Sequence, residues 1–132
     1  MRAAITFILG AVALAAAPAQ AKTTPEEKLA RAIEGRVPGE PVKCINLSRV
    51  QSSRVIDKTA IVYDVGSTVY VNRPRGGAEQ LDSRDILITK THSGDLCSLE
   101  VVQLYDSAAR MPTGFVSLGE FVPYKRVKTA SN

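Results

Sequence analysis

Few side chains in this sequence have both the type and the setting for chemistry. The only histidine, His92, stands in the run Thr91-His92-Ser93-Gly94-Asp95. An imidazole beside a hydroxyl and a carboxylate invites comparison with a Ser-His-Asp triad. Triads, however, are assembled by a fold from separated positions, with the base oriented by a third group. Contiguous residues rarely point at one another in that way, and Ser-Gly-Asp is ordinary turn chemistry. His92 is therefore read as a turn residue. Acid–base work at a glycosidic bond needs two carboxylates flanking the substrate. The candidate pairs are Asp82 with Asp85 and Asp57 with Asp64, and nothing in their neighbours separates them from solvated turn acids.

Cys44 and Cys97 are the two cysteines. As a nucleophile, Cys97 would need an activated thiolate; an exported domain with two cysteines favours one disulfide instead. Zinc usually takes three or four Cys, His or carboxylate ligands. With a single histidine, no metal is expected, and no cofactor. Arg73, Arg75 and Arg84 surround Gly76-Gly77. Arginines beside mobile backbone N–H groups can hold an anion, which makes 73–85 the candidate ligand or partner loop. It carries no phosphate-loop signature, and a solvated basic loop is the plainer reading. Tyr63 and Tyr70 flank a hairpin turn, where a packed cross-strand pair is favoured over a sugar-binding platform.

The elements that would position these residues begin after a leader. Arg2 forms a short basic region, Ala3 to Ala17 is nearly all apolar, and Ala19-Gln20-Ala21 is a small-x-small site. This pattern predicts a cleaved secretory signal over 1–21, a mature chain starting at Lys22 and a periplasmic, secreted protein. A membrane span needs about 20 apolar residues. This run is shorter and ends at the cleavage signal, so no stable span is expected in the mature form. A retained leader is expected to be a helix with few contacts to the domain. Without Arg2 the chain carries 16 basic and 13 acidic side chains, interspersed rather than in runs. So weak an excess favours solubility over a nucleic-acid partner.

Thr24 to Arg36 predicts a short helix. Thr24 and Glu27 form a Thr-x-x-Glu capping box, Pro25 suits the first turn, and Gly35 can end it. A helix this short must dock to persist, and packing on its own domain is favoured over a partner-binding arm. Arg36 to Pro41 is read as an extended linker. From Val42 the pattern turns to β. Cys44 to Arg49 alternates, and Arg54 to Asp57 is a second strand. Thr59–Asp64 and Thr68–Asn72 flank Gly66-Ser67 as the clearest hairpin. After the long 73–85 connection, Ile86–Thr91 and Leu96–Leu104 are read as a hairpin about the His92–Asp95 turn. Asp106 to Thr113 is read as polar with a short helical turn. Phe115–Tyr124 is a final β stretch broken at Gly119, and 127–132 a frayed, disordered tail. The expected organisation is a helix and linker over 22–41 and a β domain over 42–126. The expected class is mainly β: a small antiparallel barrel or sandwich with one short N-terminal helix.

Several landmarks recur together: Gly35-Arg36-Val37-Pro38-Gly39-Glu40-Pro41 before Cys44-Ile45, then Arg54-Val55-Ile56-Asp57 and Val69-Tyr70-Val71-Asn72 with Arg75-Gly76-Gly77. Leu96-Cys97, Pro112-Thr113-Gly114 and Leu118-Gly119-Glu120-Phe121 with Pro123-Tyr124 follow. In this order the chain resembles a family of small exported proteins of Gram-negative bacteria known only as a domain of unknown function. The resemblance spans roughly 35 to 126, nearly all of the mature domain, as a compact single domain would. Many relatives carry two further cysteines, near Ala78 and Val116, both absent here. The resemblance implies that those two pair with each other, leaving Cys44 with Cys97. It implies no activity and no catalytic residue.

The resulting expectation is an exported, non-catalytic β domain, not an enzyme, that binds another periplasmic protein or supports the envelope; its oligomeric state is left open. Two alternatives belong to other classes. One is an inhibitor of an exogenous hydrolase acting through the 73–85 loop. The other is a carboxylate-dependent hydrolase, which would need a deep cleft lined by two acids.

Overall fold

The computed structural model describes residues 10–16 and 22–127. The expected cleavage site at Ala19–Ala21 and all but the first residue of the expected tail lie outside the described residues. Residues 10–16 are exposed and carry no regular secondary structure, so the helix expected of a retained leader is not formed there. Among the described residues no helix is long and apolar enough to cross a membrane.

Thr24 caps the helix α1, Pro25–Ala32, through the reciprocal bonds that the sequence anticipates: its hydroxyl accepts from the Glu27 N–H, and the Glu27 carboxylate accepts from the Thr24 N–H. Ten strands follow among the described residues: β1 Arg36–Pro38, β2 Cys44–Asn46, β3 Ser52–Ile56, β4 Ala60–Val65, β5 Thr68–Asn72, β6 Asp85–Ile88, β7 Asp95–Cys97, β8 Val101–Asp106, β9 Met111–Ser117 and β10 Phe121–Arg126. All pairings are antiparallel. The five-stranded sheet runs β1-β10-β5-β4-β3, the three-stranded sheet β6-β8-β9, and β2 pairs with β7. The class is mainly β, a small sandwich that does not close into a barrel.

Two cores hold these layers. The central one lies between the sheets and contains Ile45, Val55, Ile61, Tyr63, Leu81, Leu96, Val102, Leu104, Val116, Leu118 and Phe121. The second lies on the other face of the five-stranded sheet, where Leu29 of α1 meets Ile56, Ala60, Val62, Val69 and Val71. β4 is therefore buried on both faces, which explains its unbroken apolar run Ala60-Ile61-Val62-Tyr63. α1 packs on its own domain.

Within the domain the structure differs from the sequence reading at five places. The first strand, expected over Cys44 to Arg49, ends at Asn46, whose side chain accepts from the Ser48 N–H and caps a 3-10 turn over Leu47–Arg49. Arg36–Pro38, expected as linker, pairs with β10 as an edge strand, and Arg36 reaches across to the Ser67 carbonyl at 2.6 Å. The expected hairpin over 86–104 is not formed. β6 pairs with β8, whereas β7 turns away to β2, the chain bending at Leu99 with φ of 74°. The expected helical turn after Asp106 is the loop of the β8–β9 hairpin, with the Asp106 carboxylate accepting from the Ala108 and Ala109 N–H groups. The stretch broken at Gly119 is two strands in two different sheets.

At that last place the chain passes from one sheet to the other, and Asn72 secures the corner. Its side chain is fully buried; Nδ2 donates to the Gly119 carbonyl at 2.8 Å and Oδ1 accepts from the Gly119 N–H at 3.0 Å. The amide side chain thus stands in for a strand backbone. Gly119 must lack a Cβ, because one would lie 2.4 Å from the Arg73 carbonyl oxygen. Asn72→Ala leaves both backbone groups buried and unpaired. It should cost about 2–4 kcal/mol in chemical denaturation, and a loss below about 1 kcal/mol would show that the corner does not depend on the amide.

Candidate functional site

The residues singled out for chemistry are not brought together. His92 is exposed in the turn before β7 and makes no side-chain hydrogen bond among the described residues; Asp95 lies in β7 opposite Asn46. Each candidate carboxylate has a partner of its own. Asp82 is held by the Arg84 guanidinium at 2.8 and 3.0 Å, which lowers its carboxyl to about 2. Asp85 is buried and accepts from the Thr113 hydroxyl. Asp57 accepts from the Ser83 N–H, and Asp64 from the Ser52 hydroxyl. Asp57 and Asp64 sit at opposite ends of the β3–β4 hairpin, since Asp64 pairs with Ser52 and Asp57 follows Ile56. No group of three metal-ligating side chains occurs among the described residues.

Cys44 and Cys97 form the disulfide, with Cα atoms 4.0 Å apart. They face each other across the β2–β7 ladder. The Ser98 N–H donates to the Lys43 carbonyl, so the two cysteines occupy a non-hydrogen-bonded pair, the position where opposed side chains come closest. No thiol remains free among the described residues. Tyr63 and Tyr70 are directly opposed. Tyr63 is buried, its ring edge-on to Phe121 at 5.8 Å, and burial pushes its phenol well up. Its hydroxyl makes no hydrogen bond to the protein. Tyr70 is half-buried against the same core, so the pair is packing.

The 73–85 connection is a packed strap. Arg75 and Gly76 exchange backbone hydrogen bonds with Ser117, and Leu81 is buried in the central core. Gly77 has φ of 81°, and a Cβ there would sit 2.3 Å from the Phe115 carbonyl oxygen. Two of its three arginines are matched by acids: Arg73 grips Glu26 of α1 through bonds of 3.1 and 3.2 Å, and Arg84 holds Asp82. The Arg73 guanidinium also lowers the Glu26 carboxyl. Arg75 makes no ion pair among the described residues. The strap also brings the neighbourhoods of Ala78 and Val116 together: Gly76 bridges to Ser117, and Ala78 packs on the core that contains Val116.

One surface feature was not singled out from sequence. The inner face of the three-stranded sheet gives Val102, Leu104 and Val116 to the central core. Its outer face carries Ile88, Gln103 and Phe115 in one cross-strand row, Ile86, Tyr105 and Pro112 in the next, and Val101 at the end. Ile86, Val101 and Phe115 are 49, 59 and 55% exposed. A shallow depression of about 140 Å³ lies among Ile88, Lys90, Val101, Gln103 and Phe115. The sequence signal was present: Ile86-Leu87-Ile88, Val101-Val102 and Phe115-Val116 are apolar on both faces of their strands, as in β4. In β4 the helix covers the second face. No element of the described chain covers it here.

Comparison with known protein families, with curated proteins and with solved structures finds no match to this chain. The exposed turn position of His92 gives a direct expectation: His92→Ala should change stability by less than about 0.5 kcal/mol. A much larger loss in denaturant titration would mean that the imidazole is engaged.

Proposed function

We propose that this chain is an exported, non-catalytic β domain of the family it resembles, and that it works in the periplasm by binding another protein through the outer face of β6, β8 and β9. The observation that carries this reading is the exposure of Ile86, Val101 and Phe115 on the outer face of this sheet, which no element among the described residues covers. Apolar side chains gathered on one exposed face mark interaction surfaces more often than isolated ones do. The Cys44–Cys97 bond is compatible with an oxidising compartment. Catalysis finds no support: the candidate acids are each engaged by separate donors. An inhibitory 73–85 loop is not favoured either, because that segment is pinned to β9 and α1. Placing a photoreactive amino acid at Phe115, at Val101 or, as control, at exposed Lys125 of β10 tests the reading in living cells. Discrete adducts from the first two positions and none from Lys125 are expected, on a chain whose mass begins at Lys22. An adduct of twice the chain mass would make the partner a second copy. Absence of adducts at both face positions would overturn the reading.

A further inference from the structure

Apart from the β2–β7 ribbon, the two larger sheets have four edge strands among the described residues, and they are not alike. An edge strand turns every second N–H and C=O away from its single neighbour, a template for another strand unless it is blunted. β1 has three residues and ends in Pro38. β9 opens with Met111-Pro112, and its edge is taken by the strap: Ser117 bonds to Arg75 and Gly76, and the Phe115 N–H donates to the Gln80 side chain at 3.2 Å. β3 and β6 have neither protection. β6 reads Asp85-Ile86-Leu87-Ile88, with no lysine, proline or bulge. Arg54 of β3 is turned along its own sheet to Asp64 at 3.4 Å.

These two unprotected edges face one another. Ser53, Arg54, Val55 and Ile56 form one wall of a cleft of about 480 Å³, and Ser83, Asp85, Ile86 and Leu87 form the other. The cleft is closed at one end, where the Ser83 N–H donates to Asp57 and the Lys58 N–H to the Leu81 carbonyl at 3.0 Å. At its floor, Val55 belongs to the central core and Leu87 packs against it. No backbone hydrogen bond crosses between β3 and β6. On the other side the chain itself passes from β9 to β10, and the Asn72 side chain binds Gly119 at that corner. At the opening, by contrast, the two large sheets end without a hydrogen-bonded join among the described residues.

Its walls are rows of peptide groups repeating at strand spacing. Only an extended backbone matches such a row, with affinity from main-chain bonds and selectivity from alternate side chains. We propose that the cleft takes an extended segment of a partner polypeptide, which adds as a strand to the free edge of β6 and packs against β3. Side chains directed inward lie between Val55 and Leu87 and are apolar; those directed outward meet solvent beside Ile86 and are polar. This assignment rests on the partner-binding reading above and gives it a mode.

The test selects linear peptides from a random display library on the oxidised protein and uses the most enriched peptide as the probe. The expected sequence alternates apolar and polar residues over at least the four positions of β6. Methylating alternate backbone nitrogens of the peptide should weaken binding tenfold or more in one register and little in the other. Bound peptide should slow hydrogen exchange at Ile86–Ile88. No enrichment, indifference to backbone methylation, or protection confined to other strands would each overturn strand addition. Those results leave adducts at Phe115 intact if the partner-binding reading holds. Conversely, methylation-sensitive binding at β6 with no adducts at Phe115 would retain the strand and discard the sheet face.

Discussion

The covalent tie between Cys44 and Cys97 is the constraint on which the rest of the architecture depends. β2 and β7 share only a three-residue ladder, and a two-stranded ribbon is at best marginal alone. Alternation puts the two sulfurs on its outer side and sends Ile45 and Leu96 into the central core. Holding the ribbon together therefore holds two core side chains in place. The bond joins positions 53 residues apart. Chain-entropy reasoning assigns such a closure about 4 kcal/mol, against a total of about 5–15 kcal/mol for a domain of ordinary stability. The closed loop contains β3 to β6, so both walls of the cleft lie inside it.

Around that tie the molecule is asymmetric. On one side, Asn72 and Gly119 guide the chain between sheets, and the strap fills the edge of β9. On the other, β3 and β6 part. The five-stranded sheet is covered on its second face by α1, anchored by Leu29 and by the Glu26–Arg73 pair, while the three-stranded sheet is bare. The bare face and the open edge share β6, so one strand carries both uncovered features.

Local chemistry was legible in the sequence, and long-range pairing was not. The capping box, the β4–β5 hairpin and the turn character of His92 follow from neighbours a few residues apart. The mainly β class follows from strand patterning. The β7 partner could not be read, because Leu96 to Leu104 is continuously strand-like and only the left-handed backbone at Leu99 divides it between sheets. The Asn72–Gly119 pairing spans 47 residues and has no local signature. The strap looked structureless because its bonds are made to β9, far along the chain. The bare sheet face was hidden for a different reason. Consecutive apolar residues in β6, β8 and β9 read as ordinary core, and only the structure shows that one face of them is uncovered.

The most direct measurement is made on protein isolated without exposure to reductant, with free thiols blocked at lysis. Thiols are titrated under denaturing conditions, and thermal unfolding is followed before and after reduction. No titratable thiol and a fall in melting temperature of at least about 10 °C on reduction are expected, given about 4 kcal/mol for the closed loop. Two titratable thiols, or a melting temperature unmoved by reduction, would contradict the oxidised, disulfide-dependent fold.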